Sequence, residues 1–227
     1  MKLNKIAIAI GALVITGSAA AEFSANIGAT SNYIWRGVTQ TDDQAAISGG
    51  LDYAHDSGFY VGTWASNVDF DDDATAEVDL YGGYSNEVSG IGYDVGVIHY
   101  MYPGEEYDFT EVQGSLSYGP ATVGVNYIID SETDDTNVNE LFIEGDIYYY
   151  VSAGFEVAPT WSVGGTVGYF DFDDDGKQDI DTSYTHAQID VGKSAGDFGD
   201  FTFSVSWAEE ESGDGDTKVF ASWGKSF

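Results

Sequence analysis

One acidic segment has the residue types and the spacing of a calcium loop. Asp171, Asp173 and Asp175 lie two residues apart, a glycine follows them directly, and Asp179 stands at the ninth position. Calcium loops place carboxylates at such alternate positions and a glycine at the sixth, where the chain turns sharply. The twelfth position holds Thr182 instead of a bidentate Glu, and no helical pattern flanks the segment. Two interpretations follow, a calcium site and a solvated acidic loop.

Three histidines are the other side chains that could support chemistry. His55 lies in a short turn, whereas His99 and His186 lie near the ends of predicted strands. An Asp–His pair at such a place could act as a general base. However, the chain has no Cys and no recognisable nucleophile motif, HExxH motif or glycine-rich phosphate loop. We therefore predict no enzymatic activity, no catalytic residue and no cofactor other than the calcium ion considered above.

The composition excludes several classes of protein. The 227 residues include 7 Lys and Arg against 39 Asp and Glu, for a formal net charge of −32. We predict no nucleic-acid partner, because a phosphate backbone is bound by a basic surface. The absence of Cys excludes a disulfide scaffold. The high content of Gly and aromatic residues, with only 3 Pro, favours many strands in a closed or well-covered sheet.

The beginning of the chain has the pattern of a secretory signal peptide. Two lysines precede a mostly apolar stretch at 6–17, which is too short to cross a bilayer as a helix. Ala19 and Ala21 then fit a cleavage site. We predict that residues 1–21 are removed after export and that residues 22–227 form a single domain.

The rest of the chain alternates apolar and polar residues with a period of two, which predicts strands rather than helices. In the segment 121–129, for example, Ala, Val, Val, Tyr and Ile occupy one face. Most predicted strands have about ten or more residues, and a tilted strand needs roughly 9–11 to cross a bilayer. The twelve predicted strands are 23–36, 44–54, 58–68, 75–86, 91–102, 108–118, 121–130, 139–151, 160–170, 183–193, 200–208 and 217–227.

The connections between these strands alternate between short turns and long acidic loops. In an up-and-down meander, alternate connections lie at opposite ends, so the acidic loops gather at one rim. Closure of the sheet would satisfy every backbone polar group within lipid. The sequence therefore predicts an all-β, up-and-down antiparallel transmembrane β-barrel of about 12 strands. A soluble acidic sandwich would explain the charge but not the alternation of loop type. The six acidic loops, 37–43, 67–75, 103–108, 130–140, 171–181 and 208–216, hold 25 of the 39 acidic residues.

Aromatic residues mark the two rims and the C-terminus of the predicted barrel. The chain ends in Phe227 after alternate apolar residues, which resembles the signal read by the barrel-insertion machinery of outer membranes. We therefore predict that machinery, outer-membrane lipid and lipopolysaccharide as partners. Aromatic side chains at strand ends suit the headgroup layers. The residues predicted for the rim on the loop side are Tyr33, Trp35, Tyr127, Tyr169 and Trp207.

The face opposite the apolar one would line the lumen, and it is rich in acidic residues. Rings of Asp and Glu favour cations over anions. Arg36 is the only Arg of the chain, and we predict that it bridges the wall to acids of the loops and shapes the constriction. An anchoring salt bridge at the rim is the alternative. The predicted pore-lining residues are Asn32, Arg36, Glu77, Asp79, Asp94, Glu111, Glu144 and Asp146.

Four short segments resemble one known family. The segment 31–40, SNYIWRGVTQ, is similar to the N-terminal signature of the TorF-family porins, also called the Gcw_chp family. The segment 59–68, FYVGTWASNV, resembles the next block of that family. YMYPG at 100–104 and KSF at 225–227 are similar to later blocks. The resemblance implies an outer-membrane location and a porin role, and it implies no particular substrate.

Two functional hypotheses from different classes follow. The first is a porin in the outer membrane of a Gram-negative bacterium, through which small hydrophilic or cationic solutes and ions diffuse along a negatively charged lumen. The second is a non-conducting structural or recognition barrel, exposed at the surface, whose acidic loops bind ions such as calcium. An enzyme with a site at the rim is a third and weaker hypothesis.

Overall fold

The computed structural model describes residues 22–133, 141–173 and 181–227. In these ranges the chain forms a closed antiparallel barrel in which each of twelve strands pairs with its sequence neighbours and β1 also pairs with β14. The predicted up-and-down antiparallel barrel of about 12 strands is thus confirmed. The barrel strands are β1 (Glu22–Thr30), β4 (Ala46–Ala54), β5 (Phe59–Asn67), β6 (Ala76–Val88), β7 (Ile91–Met101), β8 (Phe109–Tyr118), β9 (Ala121–Ser131), β10 (Ile147–Ala158), β11 (Trp161–Asp171), β12 (Tyr184–Ser194), β13 (Asp200–Ala208) and β14 (Lys218–Ser226).

The remaining elements are short. Strands β2 (Ile34–Trp35) and β3 (Val38–Thr39) form a separate two-stranded hairpin between β1 and β4. Two 3₁₀ turns span Gly196–Phe198 and Glu210–Ser212. No helix in the described ranges is long and apolar enough to span a membrane. We call the end of the barrel with the acidic loops the loop side, and the opposite end, with the short connections, the turn side.

The alternation of residues makes the barrel apolar outside and polar inside. Leu51, Val95 and Phe203 point outward with at least 60% of their surface exposed. Glu111 and Ser206 point inward and are at most 1% exposed. A water-soluble protein avoids so continuous an exposed apolar surface. This distribution fits a barrel whose outer face contacts lipid chains.

The predicted rim aromatics divide into two groups. Tyr127, Tyr169 and Trp207 lie near the loop-side ends of their strands and point outward. The prediction was wrong for Tyr33 and Trp35, which follow the end of β1 and pack inside the barrel. The alternation of the first predicted strand continued beyond Thr30, so the turn of the chain into the lumen was not visible in the sequence.

The largest error in strand boundaries concerns β10. The predicted strand was 139–151, whereas β10 spans Ile147–Ala158. Its beginning is apolar on both faces, because Tyr149 points outward while Tyr148 and Tyr150 pack inside. This double pattern concealed the true start of the strand.

Inward-facing tyrosines lie against glycines of neighbouring strands. The Tyr60 hydroxyl lies above Gly83 and Gly96, and the Tyr81 ring lies above Gly62. A Cβ atom at Gly83 would lie 2.6 Å from the backbone oxygen of Val95. The glycines therefore leave room for a layer of tyrosines that fills part of the lumen on the turn side.

We expect Gly83→Ala to lower the free energy of unfolding by about 1–3 kcal/mol, the usual effect of overpacking. The control is Gly114→Ala on the outer face, where a Cβ atom would come no closer than 4.0 Å to a backbone oxygen. Urea unfolding in phospholipid vesicles, followed by tryptophan fluorescence, measures both. An equal effect of the two substitutions would contradict the proposed fit.

Candidate functional site

The candidate site is built around a hairpin that folds into the barrel from its loop side. We call residues 32–43 the plug hairpin. Trp35 pairs with Val38 across β2 and β3, so Arg36 and Gly37 form a two-residue turn. Both turn residues have positive φ, 48° and 92°, as a type I′ turn requires. A Cβ atom at Gly37 would also lie only 2.6 Å from the Cβ of His186 in the wall, so glycine is needed there for two reasons.

The base of the plug hairpin is held by polar contacts near the start of β14. The Asn32 amide donates to Asp43 (2.7 Å) and its oxygen accepts from the Thr39 hydroxyl (2.6 Å). Lys218 forms ion pairs with Asp43 (2.7 Å) and Asp214 (2.8 Å). The hydrogen bond from Lys218 is the main cause that lowers the pKa of Asp43. These contacts fix where the hairpin enters the lumen.

The tip of the plug hairpin places a guanidinium in a cage of aromatic rings. Arg36 donates two hydrogen bonds of 2.7 Å to the two carboxylate oxygens of Glu111 in β8. Its Cζ atom lies 4.1 Å from the ring centre of Trp35, 4.2 Å from that of Tyr148 and 5.1 Å from that of Phe170. Burial acts to lower the pKa of Arg36, but the negative charge of Glu111 has the opposite effect, and the net shift of the pKa is upward. The guanidinium is therefore charged.

The barrel wall orients the Glu111 carboxylate. Asn126 of β9 donates to its Oε2 at 3.0 Å, and the Tyr100 hydroxyl of β7 donates to the same atom at 3.3 Å. The side chain is 1% exposed. A buried charge with a bidentate partner and further hydrogen bonds is held in one geometry. Neighbouring strands thus preorganise the acceptor that Arg36 meets.

Aromatic packing closes the loop-side half of the lumen. The Trp35 ring contacts Tyr100, Phe109, Phe142 and Phe170, with centroids 5.7–6.4 Å apart. Phe109 and Phe170 belong to wall strands and point inward, yet both are buried. In an open pore they would face water. The plug hairpin and these rings therefore form a packed core inside the barrel.

The carboxylates of the lumen fall into two levels. On the loop side, Glu77 accepts hydrogen bonds from Tyr33 (2.8 Å) and Tyr102 (3.0 Å), and Asp79 is buried with no partner for its Oδ1 among the described residues. Burial is the main cause that raises the pKa of Tyr33. Inward carboxylates nearer the turn side are less enclosed, apart from that of Asp190. The inward-facing acids of the described strands that are buried or half-buried are Asp52, Glu77, Asp79, Asp94, Glu111 and Asp190.

The structure changes the predicted role of Arg36 and the place of Asn32. Glu77, Asp79, Asp94 and Glu111 lie on the inner face of the wall, where the alternation placed them. Asn32 and Arg36 lie instead on the plug hairpin. The predicted pairing of Arg36 with acids of the loops was wrong, because Arg36 is itself on a loop and its partner Glu111 is on the wall.

Glu144 and Asp146 also lie elsewhere than predicted. Both precede β10, in the loop between β9 and β10, because that strand starts at Ile147. Glu144 is exposed. Asp146 is buried and accepts hydrogen bonds from the backbone N–H of Ile143 (3.0 Å) and of Asp173 (2.8 Å). Burial raises its pKa to about 6. Asp146 thus ties two loops together and does not line the wall.

The calcium prediction is covered only in part by the described residues. Asp171 ends β11 and Asp173 binds Asp146 through its backbone, whereas Asp175 and Asp179 lie outside the described residues. In residues 22–133, 141–173 and 181–227, no group of three acidic or histidine side chains is placed to hold a metal ion. Calcium binding remains a prediction.

The aromatic cage around Arg36 was not predicted from the sequence. Tyr148 and Phe170 were assigned to strands without a role, and Asn126 was only one of many polar residues on its face. One signal was available: Tyr148 and Tyr150 make the beginning of β10 apolar on its inner face, which is unusual for a water-filled lumen. An apolar inner face predicts something packed against it.

We expect Arg36→Met to lower the free energy of unfolding by about 3–5 kcal/mol, because Glu111 is left buried without its partner. Adding Glu111→Gln to that variant should recover part of the loss, since the uncompensated charge is removed. Arg36→Lys is the matched control, which keeps the charge but not the bidentate contact. Urea unfolding of the four proteins in vesicles tests this. A double variant less stable than Arg36→Met would contradict it.

The pKa of Asp146 predicts a pH dependence of the two loops that it joins. Folding raises the pKa of Asp146, so the protonated carboxyl contributes to the stability of the folded state. This contribution is fully present below the ordinary pKa of 3.8 and is lost as pH rises through about 6. We expect hydrogen exchange at Ile143 and Asp173, corrected for the intrinsic rate, to show weaker protection at pH 7.5 than at pH 5. Asp146→Asn should remove that difference. Unchanged protection in the unmodified protein would refute the prediction.

Comparison with solved structures supports the fold. The chain superposes on the KdgM porin with a TM-score of 0.58 and 7% identity, over 90% of this chain and 98% of that one. The KdgM porin in complex with disordered oligogalacturonate gives a TM-score of 0.57 and 6% identity, over 91% of this chain and 98% of that one. The NanC porin gives a TM-score of 0.50 and 9% identity, over 90% of this chain and 98% of that one. At these identities the likeness establishes a shared barrel fold and no shared solute.

Comparison with sequences gives the family. No curated protein matches the chain. The family model described as "Bacterial protein of unknown function (Gcw_chp)" matches residues 15–225, nearly the whole sequence. The chain therefore belongs to the Gcw_chp family.

Proposed function

We propose that the protein is an outer-membrane channel of a Gram-negative bacterium, through which small hydrophilic or cationic solutes and ions diffuse passively. The charge balance of the lumen carries this proposal. Six buried or half-buried carboxylates face inward on the described strands, and Arg36 is the one cationic side chain among the described residues that is paired with any of them. The resemblance to the TorF-family porins points to the same role. We propose a channel and not an enzyme.

Electrostatics favours cations along the whole path. The loops at the outer rim contain most of the acids of the chain, and an acidic mouth concentrates cations and repels anions. Below the packed region, Asp52 and Asp94 are partly exposed and face the turn-side half of the lumen. A cation would pass these carboxylates one after the other, as in the acidic rings of cation channels.

The plug hairpin sets the condition for conduction. In this structure it fills the loop-side half, so passage requires that the hairpin tip leave its cage. The tip is held by one ion pair, by ring contacts and by a hydrogen bond of 3.0 Å from the Tyr184 hydroxyl to the Arg36 carbonyl, all of which opening would have to break. We therefore propose that the channel opens by displacement of the hairpin tip, residues 34–38, while the contacts of Asn32 with Thr39 and Asp43 and of Lys218 with Asp43 keep the base in place.

The negative charge of the lumen argues against the solute that one structural neighbour binds. The KdgM porin has been solved with oligogalacturonate, which is a polyanion. A lumen with the acids found here repels such a solute. We therefore do not propose oligogalacturonate, but a neutral or positively charged solute.

A second function is favoured by one observation. The packed aromatic core in the loop-side half suits a structural or recognition barrel that does not conduct, with acidic loops as its binding surface. Planar-bilayer recording separates the two functions. A channel gives defined current steps, whereas a structural barrel is silent at high protein load.

We expect the reversal potential in a salt gradient to have the sign of a channel that is more permeable to cations than to anions. Asp52→Asn combined with Asp94→Asn should lower the cation-to-anion permeability ratio, because two lumen charges are removed. Asp56→Asn is the control, since this residue is exposed in the turn between β4 and β5. Silence of the unmodified protein, and of a variant with residues 34–39 replaced by glycine and serine, would refute the channel.

A further inference from the structure

We propose that the cage around Arg36 is a binding site for solutes that carry a guanidinium group, and that Arg36 occupies this site in place of the solute. The inference rests on the proposed channel, since the solute would reach the site from the lumen. It goes further by naming the chemical class that the lumen selects.

The wall of the barrel supplies most of the cage. Glu111 belongs to β8, Tyr148 to β10 and Phe170 to β11. Only the guanidinium itself and the Trp35 ring come from the plug hairpin. If the hairpin tip leaves, the carboxylate on β8 and two aromatic rings on the adjacent strands β10 and β11 remain. A receptor for a cation would therefore persist without Arg36.

The acceptor does not depend on Arg36 for its orientation. Asn126 and Tyr100 donate to Oε2 of Glu111 from the two neighbouring strands. A planar fork of N–H donors matches a carboxylate held in this way through two parallel hydrogen bonds. Sodium or an ammonium group cannot form this pair of bonds. The geometry therefore selects a guanidinium group over other cations.

The aromatic rings add to this selection. A desolvated cation above an aromatic ring is attracted by the negative face of the ring, and a weakly hydrated planar guanidinium stacks well on such faces. In this structure Cζ of Arg36 lies within 4.2 Å of two ring centres. An empty cage would leave the Glu111 carboxylate without a counter-charge beside two aromatic rings, which is unfavourable. The site therefore favours a cation when the hairpin tip is displaced.

Competition between Arg36 and the solute would couple binding to opening. The two cannot occupy one carboxylate together, so a guanidinium solute binds only the state in which the hairpin tip has left. A ligand that binds one of two states shifts the population toward that state. The solute would therefore favour the open channel through which it passes.

Chemical rescue tests the site without relying on conduction. The protein is Arg36→Ala in vesicles, and the probe is methylguanidinium chloride at concentrations far below those that denature, compared with sodium chloride at equal ionic strength. We expect a saturable rise in the urea midpoint with methylguanidinium alone. Arg36→Ala combined with Glu111→Gln should respond at least about tenfold more weakly, because the bidentate acceptor is lost. An equal response to sodium, or an unchanged response of the double variant, would overturn the proposal.

Bilayer recording of the unmodified protein provides the second measurement, and it does not require that a variant fold. Methylguanidinium should increase the fraction of time in the open state, whereas sodium at equal ionic strength should not. Rescue with no current at all would leave the binding site standing and refute the channel. Current without rescue, and without an effect of methylguanidinium on opening, would leave the channel standing and refute the site.

Discussion

The whole structure depends on the requirement that each backbone N–H and C=O group find a partner within the sheet. In lipid no water replaces a missing hydrogen bond, so an open edge is excluded and the sheet must close. Pairing of β1 with β14 meets this requirement. Closure then fixes the two faces of every strand, and the alternation of residues turns the acids inward. The apolar outer surface and the acidic interior are two results of one constraint.

An acidic interior creates the next problem, because carboxylates away from bulk water need a counter-charge or donors. The tyrosines of the lumen serve as donors to Asp52, Glu77 and Asp94. Glu111 receives the single arginine of the chain. This pair joins the plug hairpin to the wall together with hydrogen bonds from Tyr184 to the Arg36 carbonyl and from Tyr33 to Glu77, and the aromatic core packs around it. The packing of the loop-side half and the selectivity proposed for the lumen thus share the contact of Arg36 with Glu111.

The sequence allowed the wall to be predicted better than what lies within it. The twelve strands, their order and the inward phase of Glu77, Asp79, Asp94 and Glu111 follow from local alternation and from the spacing of turns. The start of β10 was misplaced because Tyr148 and Tyr150 made both faces apolar, and Glu144 and Asp146 were displaced with it. The outward position given to Trp35 was wrong because alternation persists where β1 has already ended.

What the sequence determined by itself is a closed barrel with apolar residues outside, acids inside and acidic loops at one rim, since each of these follows from a period of two and from loop length. Only the tertiary structure decided that residues 32–43 turn inward, that Arg36 meets Glu111, and that Tyr148 and Phe170 cage it. These contacts join residues as many as 134 positions apart, from Arg36 to Phe170. No local pattern encodes them, because they arise only when closure brings distant strands around one lumen.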